Sequence, residues 1–295
     1  MSKSRAKAFP PSPEPLPVAV PDSHTHLDMT ITEGVTSDPD AVAREAEQIV
    51  GGPATVAEAV AMASAVGVDR LVQIGVDVAS SRWGATVAAE HRAVLATVAI
   101  HPNEAPRLAD LDTALREIEA LAAVERVRGV GETGLDYFRT AEDGRGAQEE
   151  SFRAHVDIAK RHGKALVIHD REAHDDVLRV LASAGAPDTV VMHCFSGDEA
   201  FAVECVRRGY VLSFAGNVTF ATAGALRDAA RVTPLEQLLV ETDAPFLTPV
   251  PHRGRPNASY LIPLTVRALA EVKGVEVETL CAALSTTAER VFGPW

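Results

Sequence analysis

The sequence predicts an α/β protein folded as a (β/α)8 TIM barrel, and three observations lead to this prediction. From residue 18 onward, short β-rich runs alternate with alanine-rich helical segments, a pattern typical of a parallel sheet covered by helices. With 295 residues and 46% hydrophobic content, the chain can bury one large core. No glycine-rich phosphate-binding loop opens any of the helical segments, which disfavours a nucleotide-binding fold.

Eight β-rich runs account for the eight strands of such a barrel. These runs cover residues 18–20, 70–75, 94–100, 127–132, 165–169, 189–193, 210–214 and 238–243. The helix candidates cover residues 54–66, 108–124, 148–162, 173–184, 259–273 and 276–291. Eight strand–helix units in one chain of this length fit a closed barrel better than an open doubly wound sheet.

Three stretches lie outside this repeat. Residues 1–16 are basic and then proline-rich, so we expect a disordered tail in front of a single domain over residues 17–295. Residues 29–53 exceed the length that a strand-to-helix loop requires, and we expect them to cover the C-terminal face of the barrel, with a helix near residues 40–49. A loop rich in proline and glycine, residues 244–256, follows the last strand.

Composition and charge indicate where in the cell the protein is expected and which partners it is expected to bind. The chain has 41 acidic and 28 basic residues and a net charge of −13, which argues against nonspecific binding of nucleic acid by a basic surface. A phosphate-bearing substrate stays compatible with this charge if a metal supplies local positive charge. The three cysteines form no CxxC pair, and the sequence shows neither a membrane-spanning run nor a secretory signal. We therefore expect a cytoplasmic protein with no membrane association and no obligate protein partner.

Ionisable side chains follow six of the eight predicted strands. The carboxyl ends of the strands in such a barrel meet at one mouth, so these side chains are expected to converge there. His24 and His26 share a face because side chains alternate along a strand, and on the helix side both imidazoles would be buried with few partners. The converging residues are His24, His26, His101, Glu132, His169, His193 and Asp243.

This mixture of imidazoles and carboxylates predicts a centre for two divalent ions, and its chemistry suits Mg, Mn or Zn. One ion would take His24, His26 and Asp243, the other His169 and His193, with Glu132 between them. Paired ions about 3.5–4 Å apart are a common means of hydrolysing phosphate esters, since they make hydroxide available near neutral pH. Asp243 and Glu132 are the catalytic candidates, with Asp243 as general base for the attacking water.

Six sequence blocks follow one another in the order of the predicted strands. They are "DSHTHLD" (22–28), "AIHPNEA" (99–105), "GVGETGLDY" (129–137), "VIHDRE" (167–172), "HCFSG" (193–197) and "LLVETDAPFLTP" (238–249) with "RGRPN" (253–257). Together they resemble the TatD-type metal-dependent hydrolases, over roughly residues 20–290. The resemblance implies a (β/α)8 barrel of the metal-dependent hydrolase type, in a family generally described as Mg-dependent deoxyribonucleases.

The resemblance implies the same six ligands: His24, His26, Glu132, His169, His193 and Asp243. It also implies that three side chains face the substrate phosphates, namely His101, Arg171 and Arg253. The chain departs from the family pattern at Asn103, where the family often has a second histidine, and in the length of residues 29–53. Both departures leave the ligand set intact and bear on the range of substrates.

The expected function is hydrolysis of phosphodiester bonds in DNA, with single-stranded ends trimmed by attack of a metal-bound hydroxide on phosphorus. Two alternatives stay open at this point. An amidase, deacylase or lactonase of the same superfamily would use the same ions at a carbonyl carbon, although it would not need Arg171 and Arg253. The second alternative is a non-catalytic metal-binding protein on a barrel scaffold.

Other polar residues are expected to have structural roles. Asp22 is interpreted as an acid inside the barrel, Glu241 as a partner of a metal ligand, and Cys194 as a small buried hydrophobe. Four histidines fall on helices without a convergent partner, so we expect surface or helix-capping roles for them: His91, His155, His162 and His174.

Overall fold

A ring of parallel strands forms the centre of the computed structural model, which describes residues 7–32 and 49–295. In chain order the strands are β1 (Lys7–Ala8), β2 (Val20–Thr25), β3 (Ile49–Val50), β4 (Val68–Ile74), β5 (Val94–Val98), β6 (Val127–Asp136), β7 (Ala165–Arg171), β8 (Val190–Met192), β9 (Val211–Phe214) and β10 (Leu238–Val240). Strand β2 pairs in parallel with β4, and each later strand pairs in parallel with the next, up to β10. Strands β1 and β3 form a separate two-stranded sheet.

The ring closes between β2 and the chain that follows β10. The Asp243 amide donates to the His24 carbonyl at 3.0 Å, and the His26 amide donates to the Ala244 carbonyl at 2.9 Å. Thr25 and Ala244 form a parallel bridge between these hydrogen bonds. The eight-stranded barrel predicted from the sequence is therefore confirmed, and its closing seam is built by backbone next to predicted site residues.

Helices cover the outside of the barrel. They are α1 (Leu27–Thr30), α2 (Val56–Ser64), α3 (Val78–Glu90), α4 (Leu111–Ala122), α5 (Arg145–His162), α6 (His174–Ala184), α7 (Glu199–Arg207), α8 (Gly224–Val232), α9 (Ile262–Lys273) and α10 (Val277–Phe292). Short 3-10 turns cover Ala105–Arg107, Glu142–Gly144, Gly216–Thr219, Leu235–Gln237 and Ser259–Leu261. None of the helices in the described part of the chain is long and apolar enough to cross a membrane.

Side-chain caps explain where several of these helices begin. Asp77 accepts from the Ser80 amide at 2.7 Å, and Asp110 accepts from the Thr113 amide at 2.9 Å. Asp198 caps α7 in the same way. Because each cap satisfies an amide that has no partner within its helix, it fixes the first turn. The six helices predicted over residues 54–66, 108–124, 148–162, 173–184, 259–273 and 276–291 are all present, and their ends differ from the prediction by a few residues.

Strand β6 is longer than the run 127–132 that the sequence predicts. Residues after Glu132 continue the pairing with β7 as far as Asp136. Gly134 permits this close pairing, because it has φ +137° and a Cβ there would lie 2.1 Å from the His169 carbonyl oxygen. Apolar periodicity ends at Glu132, so the sequence pattern could not show the extension.

The N-terminal segment packs against the barrel in the part that the structure describes. Leu16 is buried, and its amide donates to the Val66 carbonyl at 3.0 Å. The Pro10 carbonyl accepts from the Tyr260 hydroxyl at 2.5 Å. The expected disordered tail thus does not extend over residues 8–16, because side chains of the barrel satisfy the carbonyls of this proline-rich stretch.

Two further expectations concern residues that are only partly described. Residues 1–6 of the expected tail lie outside the described residues. The helix expected near residues 40–49 also lies outside them, except for Ile49 at its end, which begins β3.

His155 differs from its expected surface or capping role. It lies on α5 with its side chain fully buried. Its Nε2 accepts from the Ile100 amide at 3.0 Å, and its Nδ1 lies 2.6 Å from the Ser151 carbonyl oxygen, to which it donates in the neutral form. The neutral ring therefore bridges α5 to the residue that precedes His101.

We predict that this buried ring makes the fold sensitive to acid. Burial lowers the pKa of His155 to about 4, below its ordinary value of 6.5, so its contribution is present above pH 6.5 and is lost as the pH falls toward 4. His155→Gln keeps an acceptor but does not titrate. Between pH 7 and pH 4 the stability advantage of the wild type over this variant should shrink by about 3 kcal/mol. Urea unfolding across this pH range measures the change, and a pH-independent difference would contradict it.

Candidate metal centre at the barrel mouth

The Glu132 carboxylate lies at the centre of five imidazoles. Its Oε1 faces two of them, at 3.8 Å from His26 Nε2 and 3.7 Å from His101 Nε2. Its Oε2 faces the other three, at 2.7 Å from His193 Nε2, 3.4 Å from His169 Nδ1 and 4.0 Å from His24 Nε2. The strand-end convergence expected from the sequence is therefore present in the structure.

Asp243 lies beside the two histidines of β2 and its following turn. Its Oδ1 is 3.6 Å from His24 Nε2 and 3.5 Å from His26 Nε2. The closing seam imposes this proximity, because the Asp243 amide is bonded to the His24 carbonyl. Asp243 has φ +53°, a left-handed conformation that is uncommon for a residue other than glycine.

The distances between the donor atoms in this cluster suit ligands around a divalent ion better than hydrogen bonds between the side chains. Both ring nitrogens of His24 and Nδ1 of His26 are buried without a hydrogen-bond partner among the described residues. The separations of 3.5–4.0 Å around His24 and His26 are too long for hydrogen bonds. Ligands that bind Zn²⁺ at about 2.1 Å lie roughly 3.4 Å apart across a tetrahedral angle, close to these values.

Within residues 7–32 and 49–295, three sets of donor atoms are compact enough to hold an ion. One set is His24, His26 and Glu132; a second is His101, Glu132 and His169; the third is His24, His193 and Glu241. The first contains the two histidines and the shared carboxylate of the ion site expected from the sequence, without Asp243. The second includes His101, which the resemblance assigned to the substrate and which the structure places at the carboxylate that the two sites would share.

Burial and neighbouring charges give Glu132, His24 and His101 the protonation states that metal binding requires. Burial raises the pKa of Glu132, but the charge of His193 and the hydrogen bonds from His169 and His193 outweigh it and hold the pKa well below its usual range. Burial lowers the pKa of His101 to about 3 and lowers the pKa of His24 well below its usual range. An ionised carboxylate thus faces neutral imidazoles at these two positions, as metal ligation needs. Contacts with carboxylates outweigh burial and raise the pKa of the other three rings, His26, His169 and His193, whose protons a bound ion would displace.

Two carboxylates contact candidate ligand imidazoles on the ring nitrogen that faces away from Glu132. Glu241 Oε1 lies 3.1 Å from His193 Nδ1 and also accepts from the Cys194 amide at 2.8 Å. This contact matches the partner role expected for Glu241. Asp136 Oδ2 lies 3.2 Å from His169 Nε2.

Sequence reasoning missed Asp136, although a signal was present. Residues 132 and 136 share a parity, so an extended β6 puts Asp136 on the same face as Glu132. The Asp136 carboxylate also accepts from Asn103 Nδ2 at 3.1 Å. Asn103, the residue that departs from the family pattern, therefore helps to fix the partner of His169.

Asp22 lies below the centre and connects the two sides of the closing seam, β2 and the chain that follows β10. Its carboxylate accepts from the Thr242 amide at 2.9 Å, from the Thr242 hydroxyl at 2.6 Å and from the His24 amide at 3.3 Å. Burial raises the pKa of Asp22 to about 7, although the hydrogen bonds from Thr242 oppose this shift. The acid that the sequence placed inside the barrel therefore connects β2 to the residue before Asp243.

The centre opens into a cavity of about 1100 Å³. Arg171 lines this cavity, with its guanidinium 3.9 Å from the centroid of the Phe138 ring. Cys194 also lines it, which differs from the buried role expected for this thiol. Arg253 is exposed and lies over the Phe220 ring, and it is not among the described residues that line the cavity. The structure thus brings Arg171 to the centre and leaves Arg253 outside it.

Comparison with known proteins agrees with this geometry. A family model described as "TatD related DNase" matches residues 21–293. The chain belongs to this family. It is 46% identical over 276 residues to the "Uncharacterized metal-dependent hydrolase TatD" of Mycobacterium tuberculosis (strain ATCC 25618 / H37Rv), covering 92% of this chain and 97% of that protein.

Other TatD relatives are similar over most of their length. The metal-dependent hydrolase YabD of Bacillus subtilis (strain 168) is 34% identical over 238 residues, which cover 80% of this chain and 91% of YabD. The crystal structure of YJJV, a TatD homolog from Escherichia coli K12, superposes with a TM-score of 0.78 at 24% identity, covering 92% of this chain and 97% of that one. The protein is therefore a metal-dependent hydrolase of the TatD family with a TIM-barrel fold.

We predict that Glu241 acts on metal affinity through His193. Glu241→Ala removes the acceptor for His193 Nδ1 and the Cys194 amide, and loss of such a partner lowers metal affinity roughly 10- to 100-fold. Glu241→Gln keeps an acceptor oxygen and should lie between this variant and the wild type. Metal titration by calorimetry measures the series, with circular dichroism as the folding control. Wild-type affinity in Glu241→Ala would show that the contact does not support a ligand.

Proposed function

We propose that this TatD-family hydrolase cleaves phosphodiester bonds in DNA and trims single-stranded ends. The observation that carries the proposal is the position of Glu132, buried among five imidazoles at the floor of a cavity that Arg171 also lines. The description of the matching family as DNase supports the same activity. A guanidinium offers two parallel donors to a phosphate, whereas an acyl substrate without a phosphate does not need one.

The centre is proposed to hold two divalent ions, Mg, Mn or Zn. One would be held by His24, His26 and Asp243, the other by His169 and His193, with Glu132 shared between them. When bound, such ions supply Lewis-acid charge and make a water molecule acidic enough to react near neutral pH. His101 lies close enough to Glu132 to contribute to the second site or to meet the substrate beside it.

The side chains around the centre divide the remaining work of the reaction. Asp243, at the edge of the cavity, is proposed to accept the proton of the attacking water on its carboxylate. Arg171 is proposed to hold a nonbridging phosphate oxygen and to stabilise the charge that develops there. Glu241 and Asp136 keep His193 and His169 oriented. Arg253 would reach a substrate only if that substrate extended beyond the cavity.

A cytoplasmic location is part of the proposal. All three cysteines are free in the structure: Cys194, Cys205 and Cys281. Free thiols suit a reducing compartment. No obligate protein partner is proposed, and the nucleic-acid substrate is the partner that the site supports.

Glu132→Gln is predicted to abolish turnover and to lower the metal content from two ions per chain to at most one. The amide keeps the size of the carboxylate but loses its charge and one ligand oxygen. Elemental analysis of dialysed protein measures the metal, and end-labelled single-stranded DNA, RNA and acyl substrates measure the activity. Two tightly bound ions with near-normal turnover would contradict the shared-carboxylate assignment. Activity on acyl substrates alone would favour the deacylase reaction.

A shallow salt dependence is predicted for binding of single-stranded DNA. Each phosphate contact on a single strand contributes a slope of about −0.7 in log affinity against log salt. The chain carries a net charge of −13, and few cations line the cavity, so it should contact only two or three phosphates. The slope should therefore have a magnitude of about 2 or less, measured with a short oligonucleotide at fixed metal concentration. A slope steeper than about −5 would indicate an extended binding groove.

A further inference from the structure

Phe246 is an exposed aromatic side chain beside the metal centre that the reaction does not use. It lines the cavity and is 52% exposed, although it is a large hydrophobic residue. Its ring lies edge-on to His26, with centroids 6.3 Å apart. An exposed aromatic ring next to a catalytic centre is a surface on which a planar group of a substrate can stack.

The backbone around Phe246 is firmly held. Its amide donates to the Asp243 carbonyl at 2.9 Å, and its carbonyl accepts from Asn257 Nδ2 at 2.5 Å. Asn257 is fully buried, and the same amide group donates to the Thr242 carbonyl at 3.0 Å. Because one buried amide joins the residue before Asp243 to Phe246, the backbone that carries the ring keeps a fixed position relative to the proposed ligand.

Two arginines lie on the side of the barrel mouth opposite Phe246. In the ring of eight strands, β6 lies opposite β10 and β7 lies opposite β2. Arg139 follows β6 and Arg171 ends β7, and both line the cavity. Neither guanidinium has a carboxylate oxygen within 4.0 Å among the described residues, whereas Arg107 on the same cavity is paired with Glu104 at 3.0 Å. The charges of Arg139 and Arg171 are therefore available to an anionic substrate.

Asp136 holds the turn that carries Arg139 as well as the imidazole of His169. While Oδ2 contacts His169, Oδ1 accepts from the Phe138 amide at 3.0 Å and from the Arg139 amide at 2.8 Å. This turn presents Arg139 to the cavity and places Phe138 under the guanidinium of Arg171. One carboxylate thus sets the distance between a proposed ligand and the cationic edge.

We propose that a single DNA strand crosses the mouth between these two sides. The base next to the scissile phosphate stacks on Phe246, and phosphate groups on the other side of the scissile bond contact Arg139 and Arg171. The proposal rests on the proposed function and assigns Phe246 and Arg139 to substrate binding.

A stacking contact on Phe246 favours an unpaired strand. A base inside a duplex has both faces covered by its neighbours, so it can lie on the ring of Phe246 only after it leaves the stack. Stacking on an aromatic ring tolerates any base, since each base has a π-face. The cavity of about 1100 Å³ exceeds the range of roughly 300–1,000 Å³ that is usual for a small-molecule site, in agreement with a substrate longer than one nucleotide. We therefore expect little sequence preference.

The first test compares an ordinary single-stranded oligonucleotide with a series of the same strand in which one nucleotide at a time is abasic. Phe246→Ala should raise KM and Kd for the ordinary strand roughly 5- to 100-fold, with kcat nearly unchanged. For the strand that lacks the stacked base, the same substitution should have little effect. Phe246→Trp should restore tight binding, whereas Phe246→Leu, which keeps an apolar side chain without a π-face, should behave like Phe246→Ala. Equal metal content in all variants, measured by elemental analysis, separates stacking from disturbance of His26.

The second test addresses the arginine edge. Arg139→Ala should reduce the magnitude of the salt slope by about 0.7, the value of one phosphate contact on a single strand. Arg207→Ala is the matched control, because Arg207 is an exposed arginine that ends α7 and is paired with Glu204. The control should leave the slope at its wild-type value. An unchanged slope in Arg139→Ala would remove Arg139 from the proposed path.

The outcomes separate this proposal from the proposed function. Kd is measured by fluorescence anisotropy with Ca²⁺ as the added ion, and KM by initial rates of cleavage with Mg²⁺ or Mn²⁺. If the wild type cleaves the strand and Phe246→Ala binds it equally well, the stacking contact is wrong and the nuclease function stands. If Phe246-dependent binding occurs without cleavage, the strand path stands and the nuclease function is wrong. If the protein neither binds nor cleaves the strand, both proposals are wrong.

Discussion

The hydrogen bonds between β2 and the chain after β10 are the constraint on which the rest of the site depends. They join the Asp243 amide to the His24 carbonyl and the His26 amide to the Ala244 carbonyl, so the first and last strands of the barrel meet where three proposed ligands lie. The carboxylate of Asp22 adds contacts to Thr242 directly below. Barrel closure and assembly of the centre are therefore one event, since an open sheet would leave the two ends of the ligand set far apart.

Buried carboxylates that each make two kinds of contact hold the centre in shape. Glu241 contacts the imidazole of His193 and a backbone amide, and Asp136 contacts the imidazole of His169 and two backbone amides. Each carboxylate therefore holds an imidazole ring and the backbone of a nearby loop at the same time. Such coupling suits a site in which small displacements of a ligand weaken metal binding.

The distribution of charge at the mouth is compatible with an acidic protein that acts on a polyanion. The chain as a whole carries −13, and the buried acids lie beneath the imidazoles. Arg139 and Arg171 lie together on one side of the cavity, and the exposed ring of Phe246 comes from the loop that follows β10 on the opposite side. A short strand can meet local positive charge here without a basic surface, in keeping with the few phosphate contacts that are proposed.

The sequence by itself determined the barrel and the residues at its strand ends. Apolar runs show where strands exist, and period-two alternation puts His24 and His26 on one face and Glu241 on the face of Asp243. Tertiary structure alone decided which of these residues meet and which other residues join them. Asp136 and Gly134 lie beyond the apolar run, so only the pairing of β6 with β7 brings Asp136 to His169. Packing also buried His155, ordered residues 8–16 and left Arg253 outside the cavity. A local pattern reports which face a residue occupies, whereas contacts across the ring depend on closure of the whole barrel, which no local pattern contains.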